Sequence, residues 1–293
     1  MRPNREPDLR VLNLGAGVQS TTVLLMALEG ELPRPDVAVF ADTGWEPAEV
    51  YEHLTELEAR AARDGLEIVR VAAGDLRADA LDPEHRFASM PLFVRNLDGS
   101  QGMLKRQCTN EYKIEPIRRE VIRRLGLGYR KKLSEQWFGI SADEIGRVKS
   151  PRTNYLRHFY PLLNITVERN PNDPRQPIVN MDDGRGRRMT RQDCFRWLEA
   201  HNETAPRSAC IGCPFRTDRE WRTIRDNPEQ WADVVAFDEA IRDGKLNSGK
   251  APLLGSAYLH GSLRPLAEVD FATEEDRGQG NLFGNECEGM CGV

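Results

Sequence analysis

The chain predicts an α/β fold: a twisted, mostly parallel sheet with helices on both faces, followed by a cysteine-rich helical region toward the C-terminus. Three observations carry this expectation. Short apolar runs at 11–14, 37–41, 68–72 and 137–140 alternate with helix-like stretches at 47–63 and 114–125, the pattern of strands joined by crossover helices. The runs are apolar along their length, as strands covered on both faces are. Residues 11–28, VLNLGAGVQSTTVLLMAL, read as a buried strand, a glycine-rich turn bearing hydroxyls, and an apolar helix.

The remaining elements follow in order. Residues 170–186 are rich in Pro, Asn, Asp and Arg and read as a surface loop or hairpin, after which 191–201 resumes helical spacing. Residues 221–242 read as a helix or helix pair interrupted near Pro228. The stretch 273–293 is polar and glycine-rich and reads as a flexible tail. The expected organisation is one domain over 9–265, including the cysteine-rich helical part, and a cysteine-containing tail over 266–293.

A chain of 293 residues with 39% hydrophobic content can bury a sizeable core. No stretch approaches the apolar run that a membrane helix needs, and the start, MRPNREPDLR, lacks the apolar core of a secretory signal. The expected compartment is therefore the cytoplasm, with no membrane partner. There the six cysteines would be reduced, and a Cys-x-x-Cys pair reads as a metal, cluster or redox site before a disulfide.

The formal charge of −5 gives no global argument for nucleic acid. Between Lys105 and Lys132, however, ten Lys or Arg face Glu111, Glu115 and Glu120, a net of +7. Such a stripe either tracks a polyanion or is a solvated helix face. Arg185, Arg187, Arg188 and Arg191 form a second basic group.

The turn after the first strand is built for an anion. Gly15 and Gly17 let the backbone approach a phosphate, and Ser20, Thr21 and Thr22 can cap the following helix, whose free amides favour negative charge. No lysine followed by Ser or Thr is present, which excludes the mononucleotide P-loop, and the third glycine of the dinucleotide fingerprint is missing. Asp42, at the end of the second strand in Phe40-Ala-Asp-Thr-Gly-Trp-Glu46, falls at the carboxyl edge where ligands bind in such sheets. Its carboxylate can accept from an adenine amino group or a ribose hydroxyl, reach a magnesium ion, or cap the next helix.

The turn Gly15-Ala16-Gly17-Val18-Gln19-Ser20 resembles the pyrophosphatase loop Ser-Gly-Gly-x-Asp-Ser of the adenine nucleotide α-hydrolase (PP-loop ATP pyrophosphatase) superfamily, differing at three of its five defined positions. The Asp42-Thr43-Gly44 segment, the Arg106–Pro116 segment with Cys108, Thr109 and Lys113, the Gly139–Arg147 segment and Tyr160-Pro-Leu162 are similar, in order, to motifs of the phosphoadenosine phosphosulfate reductase-like family. The resemblance implies a nucleotide bound over Gly15, Ala16, Gly17, Gln19, Ser20, Thr21, Asp42, Thr43 and Gly139. It implies Lys113 and Arg147 as the cations on a triphosphate, where they neutralise the departing pyrophosphate.

Cys210-Ile-Gly-Cys213-Pro is a two-thiol chelate followed by a rigid proline; Cys194 lies sixteen residues before Cys210, and Cys108 sits in the segment above. These four are candidate ligands for zinc or an iron–sulfur cluster. The resemblance to sulfur-inserting pyrophosphatases tilts the expectation toward a four-iron cluster held by cysteines. Cys287 and Cys291 resemble the mobile cysteine tail of sulfonucleotide reductases and are a candidate catalytic dithiol.

Three functions stay open at this level. The first is an ATP- and magnesium-dependent sulfurtransferase that adenylates an acceptor such as tRNA or DNA, fed by a sulfur donor such as a cysteine desulfurase. The second is a reductase of adenylyl sulfate or its 3′-phosphate form, with a tail cysteine as nucleophile. The third is a nucleotide-binding protein without catalysis. A homodimer is compatible with each.

Overall fold

The computed structural model describes residues 5–82, 84–85, 89–173, 175–181, 183–242 and 253–272. Among these, a seven-stranded sheet forms from β1 (Leu9–Leu14), β2 (Val37–Asp42), β3 (Ile68–Ala72), β6 (Ser134–Phe138), β7 (Leu156–Tyr160), β8 (Ile165–Glu168) and β9 (Ile178–Asn180), in the order 3-2-1-6-7-8-9. The first five are parallel; β8 and β9 return antiparallel at one edge. A second sheet pairs β4 (Phe93–Asn96) with β5 (Gln101–Met103) and with β10 (Gly255–Tyr258), all antiparallel.

Side-chain alternation assigns the two faces. Leu12, Leu14, Ala38, Phe40, Trp137 and Phe159 point into a core with α1 (Val18–Leu28), α2 (Ala48–Arg63) and α5 (Arg191–Ala200). Val11, Val37 and Val39 point the other way, against Val121 and Leu125 of α4 (Glu115–Leu125). Both faces of a central strand are thus apolar, which is why these runs carry no polar alternation.

The expected strands and helices form with shifted ends: the fourth strand begins at Ser134, and the C-terminal helix pair is α6 (Asp218–Arg225) and α7 (Pro228–Ala240), with Pro228 opening the second helix. The stretch read as a loop or hairpin is a hairpin arm, β9 pairing with β8. A short α3 (Leu76–Leu81) follows β3, capped by Asp75 accepting from the Ala78 amide at 2.8 Å.

A second core joins α3, the small sheet, α6, α7 and the segment around Cys210, with Trp221, Phe237 and Ile241 fully enclosed. Leu266 and Phe271 are 1% exposed in this core, so the packed chain runs past the expected boundary at 265. Among the described residues, no helix is long and apolar enough to cross a membrane.

Candidate active site

The order of the sheet reverses at β1, whose neighbours β2 and β6 are reached by opposite crossovers. The crevice beyond the carboxyl ends of such a pair is where α/β sheets bind ligands. A pocket of about 100 Å3 lies there, lined by Gly15, Gly17, Gln19 and Ser20 after β1 and by Gly139 and Ile140 after β6.

The turn is shaped by three close approaches. Ser20 Oγ accepts from the Gly15 amide at 3.1 Å and donates to the Gly17 carbonyl at 3.2 Å, closing the loop on itself. A Cβ on Gly139 would lie 2.7 Å from the Ser20 nitrogen, and one on Gly17 would lie 3.0 Å from Ser208 Cβ. The left-handed residue of the turn is the buried Ala16, with φ of 55°, so the two glycines serve proximity while Ala16 carries the strain. Gly17 caps α1 without a side-chain bond, and no acidic residue occupies the first turn. The helix end therefore offers its amides and its positive dipole end to the pocket.

Three guanidinium groups, Arg147, Arg191 and Arg207, line this pocket against one carboxylate, Glu144. Arg147 Nη1 is 2.7 Å from Glu144 Oε1, and Gln19 Nε2 donates to Glu144 Oε2 at 3.1 Å. Burial pushes the Glu144 carboxyl up, while Arg147 opposes that shift. Arg207 pairs with Glu220 and Arg191 lies over the Phe195 ring. Arg207 and Ser208 escaped sequence reasoning, although they immediately precede the Cys210 motif. Thr21 turns inward to His53 Nε2 at 3.0 Å, fully buried, and tethers α1 to α2 instead of facing the pocket.

Asp42 does not line this pocket. Its Oδ1 accepts from the Gly44 amide and from Tyr51 Oη, both at 2.8 Å, so it orders the turn into α2. The positive φ of Gly44, 74°, belongs to that turn, where a Cβ would press on Asp75 at 3.0 Å.

A second, smaller pocket of about 30 Å3 lies beside the β2 end, lined by Thr43, Cys108, Thr109, Lys113, Cys210 and Cys213 among others. Lys113 is here and not at the loop pocket: it sits on a π-helical turn, Thr109–Ile114, which precedes α4. The wider turn sets Thr109 and Lys113 on one wall. Lys113 and Arg147 thus occupy different pockets instead of flanking one triphosphate together.

The Cys210 turn is held from two sides. The Ile211 amide donates to the Trp45 carbonyl at 2.8 Å, and a Cβ on Gly212 would fall 2.1 Å from the Trp45 ring. Arg216, itself buried, donates to the carbonyls of Ala209, Cys210 and Ile211 at 2.8 to 2.9 Å. Glu46 ties these segments together: its side chain is 1% exposed, and Oε1 takes Thr43 Oγ1 at 3.1 Å, Lys113 Nζ at 3.4 Å and Cys210 Sγ at 3.5 Å. Its Oε2 is buried without a hydrogen-bond partner.

Three soft donors on an apolar wall with an orphaned carboxylate oxygen suit a bound cation or cluster. The three sulfurs do not all fall within 4.8 Å of one another, unlike the surface trio Glu29, Glu31 and His201. Cys194 is elsewhere: it is fully buried on α5 in the core beneath α1, and burial pushes its thiol up to about 12 despite a hydrogen bond with Thr22. It is not a fourth wall of the cysteine pocket. Cys287 and Cys291 lie outside the described residues.

The basic stripe resolves unevenly. Arg118 pairs with Glu115, and Arg123 and Arg124 with Glu120. In the second group Arg185 is drawn into Glu135 and Asp183, and Arg191 belongs to the loop pocket. No family model matches this chain, and no curated protein matches it.

Proposed function

We propose that the chain is an ATP pyrophosphatase of the PP-loop type that activates an acceptor for sulfur transfer. The observation that carries this reading is the loop pocket: an uncapped helix N-terminus, a self-closed glycine turn and three arginines facing one carboxylate at the β1/β6 switch point. Such a site favours a polyphosphate and lowers the cost of charge on a leaving pyrophosphate.

In this reading the amides of Gly17 to Ser20 and the Arg147, Arg191 and Arg207 side chains hold the β- and γ-phosphates, with magnesium on the phosphates and Glu144 as the nearby carboxylate. An acceptor oxygen attacks the α-phosphorus; the bond to the pyrophosphate oxygen breaks, and pyrophosphate leaves. Sulfur then takes the place of that oxygen on the acceptor, and AMP departs with it. Cys108, Cys210 and Cys213 would hold an iron–sulfur cluster, which supplies sulfide when bound. Lys113, tied to Glu46, would hold positive charge on the wall of the cysteine pocket. Cys210 Sγ donates to Glu46 Oε1 at 3.5 Å.

The test is product analysis. With magnesium, α-labelled ATP and bulk RNA or single-stranded DNA as acceptor, the protein should release pyrophosphate and form AMP, not ADP and phosphate. Release of sulfite from a sulfonucleotide with a thiol donor, with ATP untouched, would replace this reading by the reductase. Nucleotide binding without turnover under every acceptor condition would replace it by a sensor.

A further inference from the structure

Between the two pockets lies a larger cavity, about 340 Å3, within the size range of small-ligand sites. It shares Asn13 and Phe138 with the loop pocket and Thr109 and Lys113 with the cysteine pocket. Its walls include Ile114, Ile117 and Leu156, all apolar. Three buried polar side chains line it, Thr109, Gln136 and His158, and of these only the histidine can titrate.

His158 Nδ1 lies 2.9 Å from the Lys149 carbonyl, which can only accept, so Nδ1 carries the proton and Nε2 presents a lone pair. Nε2 has no hydrogen-bond partner among the described residues. Burial holds the imidazole down at about 4, opposed only by the Lys149 bond, so it is a neutral acceptor at physiological pH. Lys149 and Arg152 stand exposed at the rim, with no ion pair among the described residues. Arg118 and Thr153 pass from this cavity into a second depression, also about 340 Å3, lined by Tyr129, Arg130 and Tyr155. There the two tyrosine rings meet edge-on at 5.0 Å and Arg130 lies over Tyr129 at 5.8 Å.

We propose that the cavity and the adjoining depression form the acceptor track for an unpaired nucleic-acid strand. One base enters the cavity with a ring N–H donating to His158 Nε2, its phosphates lie on Lys149 and Arg152, and the next nucleotide rests against Tyr129 and Arg130. A largely apolar slot with a neutral ring acceptor suits a planar heterocycle; the exposed cations suit its phosphates; the second depression, of equal size and carrying aromatics, suits a neighbouring nucleotide. A paired duplex cannot place a base in a recessed slot without flipping it out. The assignment deepens the sulfur-transfer reading and rests on it for calling the occupant the acceptor.

The experiment is fluorescence anisotropy on the full chain with labelled twelve-nucleotide single strands of RNA and of DNA, and with the matched duplexes. Single strands should bind more tightly than duplexes, and the RNA and DNA arms report which is preferred. Lys149→Glu with Arg152→Glu should weaken single-strand binding about tenfold or more and flatten the salt dependence of log K by about 0.7 for each phosphate no longer neutralised. His158→Phe should weaken it too. Because that buried substitution can unfold the chain, Tyr129→Ala provides a second probe, expected to cost about tenfold. ATP affinity, measured in parallel, should not change in the rim variants. Unchanged strand binding in the rim variants, no preference for single strands, or loss of ATP affinity in the rim variants, which would place adenine in the cavity, each overturns the track. If strand binding behaves as expected while the wild-type chain binds no ATP, the track stands and the pyrophosphatase reading falls.

Discussion

The loop pocket and the cysteine pocket sit at neighbouring strand ends, yet they are built by opposite means. At the β1 end the groups facing the pocket are backbone amides and guanidinium groups on half-buried surface, and the glycines act by letting chains touch. At the β2 end the recess is lined by thiols and apolar side chains, with the Glu46 carboxylate 3.5 Å from Cys210, and the backbone is turned away, its carbonyls spent on Arg216. A hard, multiply charged ligand fits the first and a soft one the second. The two ends can be damaged separately, because they share no lining residue.

The largest expected effect falls on the cysteine end. Cys210→Ser should remove most of the bound iron and acid-labile sulfide from protein purified without oxygen, because Cys210 stands between Thr43 Oγ1 at 3.3 Å and Glu46. ATP binding should survive, since that thiol lines the recess and not the loop pocket. Metal and sulfide analysis beside a nucleotide-binding titration checks both halves. Disappearance of ATP binding together with metal would break the separation.

The converse variant is Arg147→Ala. Taking one guanidinium charge away from a leaving pyrophosphate should slow pyrophosphate release by about 10²-fold or more, while metal content stays at the wild-type level. Steady-state pyrophosphate release and metal analysis on the same preparation test it. A rate within a few-fold of wild type would show that Arg191 and Arg207 suffice.

The two ends also differ in how far the sequence disclosed them. The loop, its strand and its helix are contiguous over 9–28, so glycine spacing, apolar run and hydroxyls lie in one window, and that window read correctly as strand, turn and helix. Arg207 and Ser208 reach the same pocket from a distant part of the chain, and the motif just after them points to metal binding, not to a phosphate site. At the cysteine end the Cys-x-x-Cys spacing and Cys108 were legible, but Cys194, the fourth candidate ligand sixteen residues before Cys210, faces the core under α1. A buried thiol and a ligand thiol have the same letter; only packing separates them. The strands β4, β5 and β10 were missed because they are three or four residues long, and β10 reaches β4 from the far end of the described chain. Lys113 was legible as a candidate cation, whereas its pocket depended on the π-helical turn, which has no sequence period of its own.

Between the ends, His158 gives a prediction about pH. Its folded value near 4 lies below the ordinary histidine value of about 6.5. Between those values the unfolded chain binds a proton that the folded chain refuses. The contribution to stability is therefore full above pH 6.5 and lost as pH falls toward 4, at about 1.4 kcal/mol per unit. Urea midpoints at pH 7.0 and 5.0 should show the wild-type chain losing about 2 kcal/mol more than His158→Gln over that interval. Equal losses in the two proteins would mean that the imidazole is hydrated and its cavity open to water.

The smallest effect belongs to Cys194, which stands at neither end. It is buried against Thr22, and its thiol is held neutral by burial, with a value pushed up to about 12. Removing the sulfur leaves a small void in a packed interface between α5 and α1, worth about 1 kcal/mol on the scale of single buried-group deletions. Cys194→Ala should therefore lower the unfolding midpoint slightly while metal content, ATP binding and pyrophosphate release stay at wild-type levels. Native Cys194 should also resist alkylation, because a neutral buried thiol is neither accessible nor a thiolate. Loss of metal in Cys194→Ala would tie the helix on the far side of α1 to the cysteine recess, and the clean division between a charged end and a soft end would fail at its simplest point.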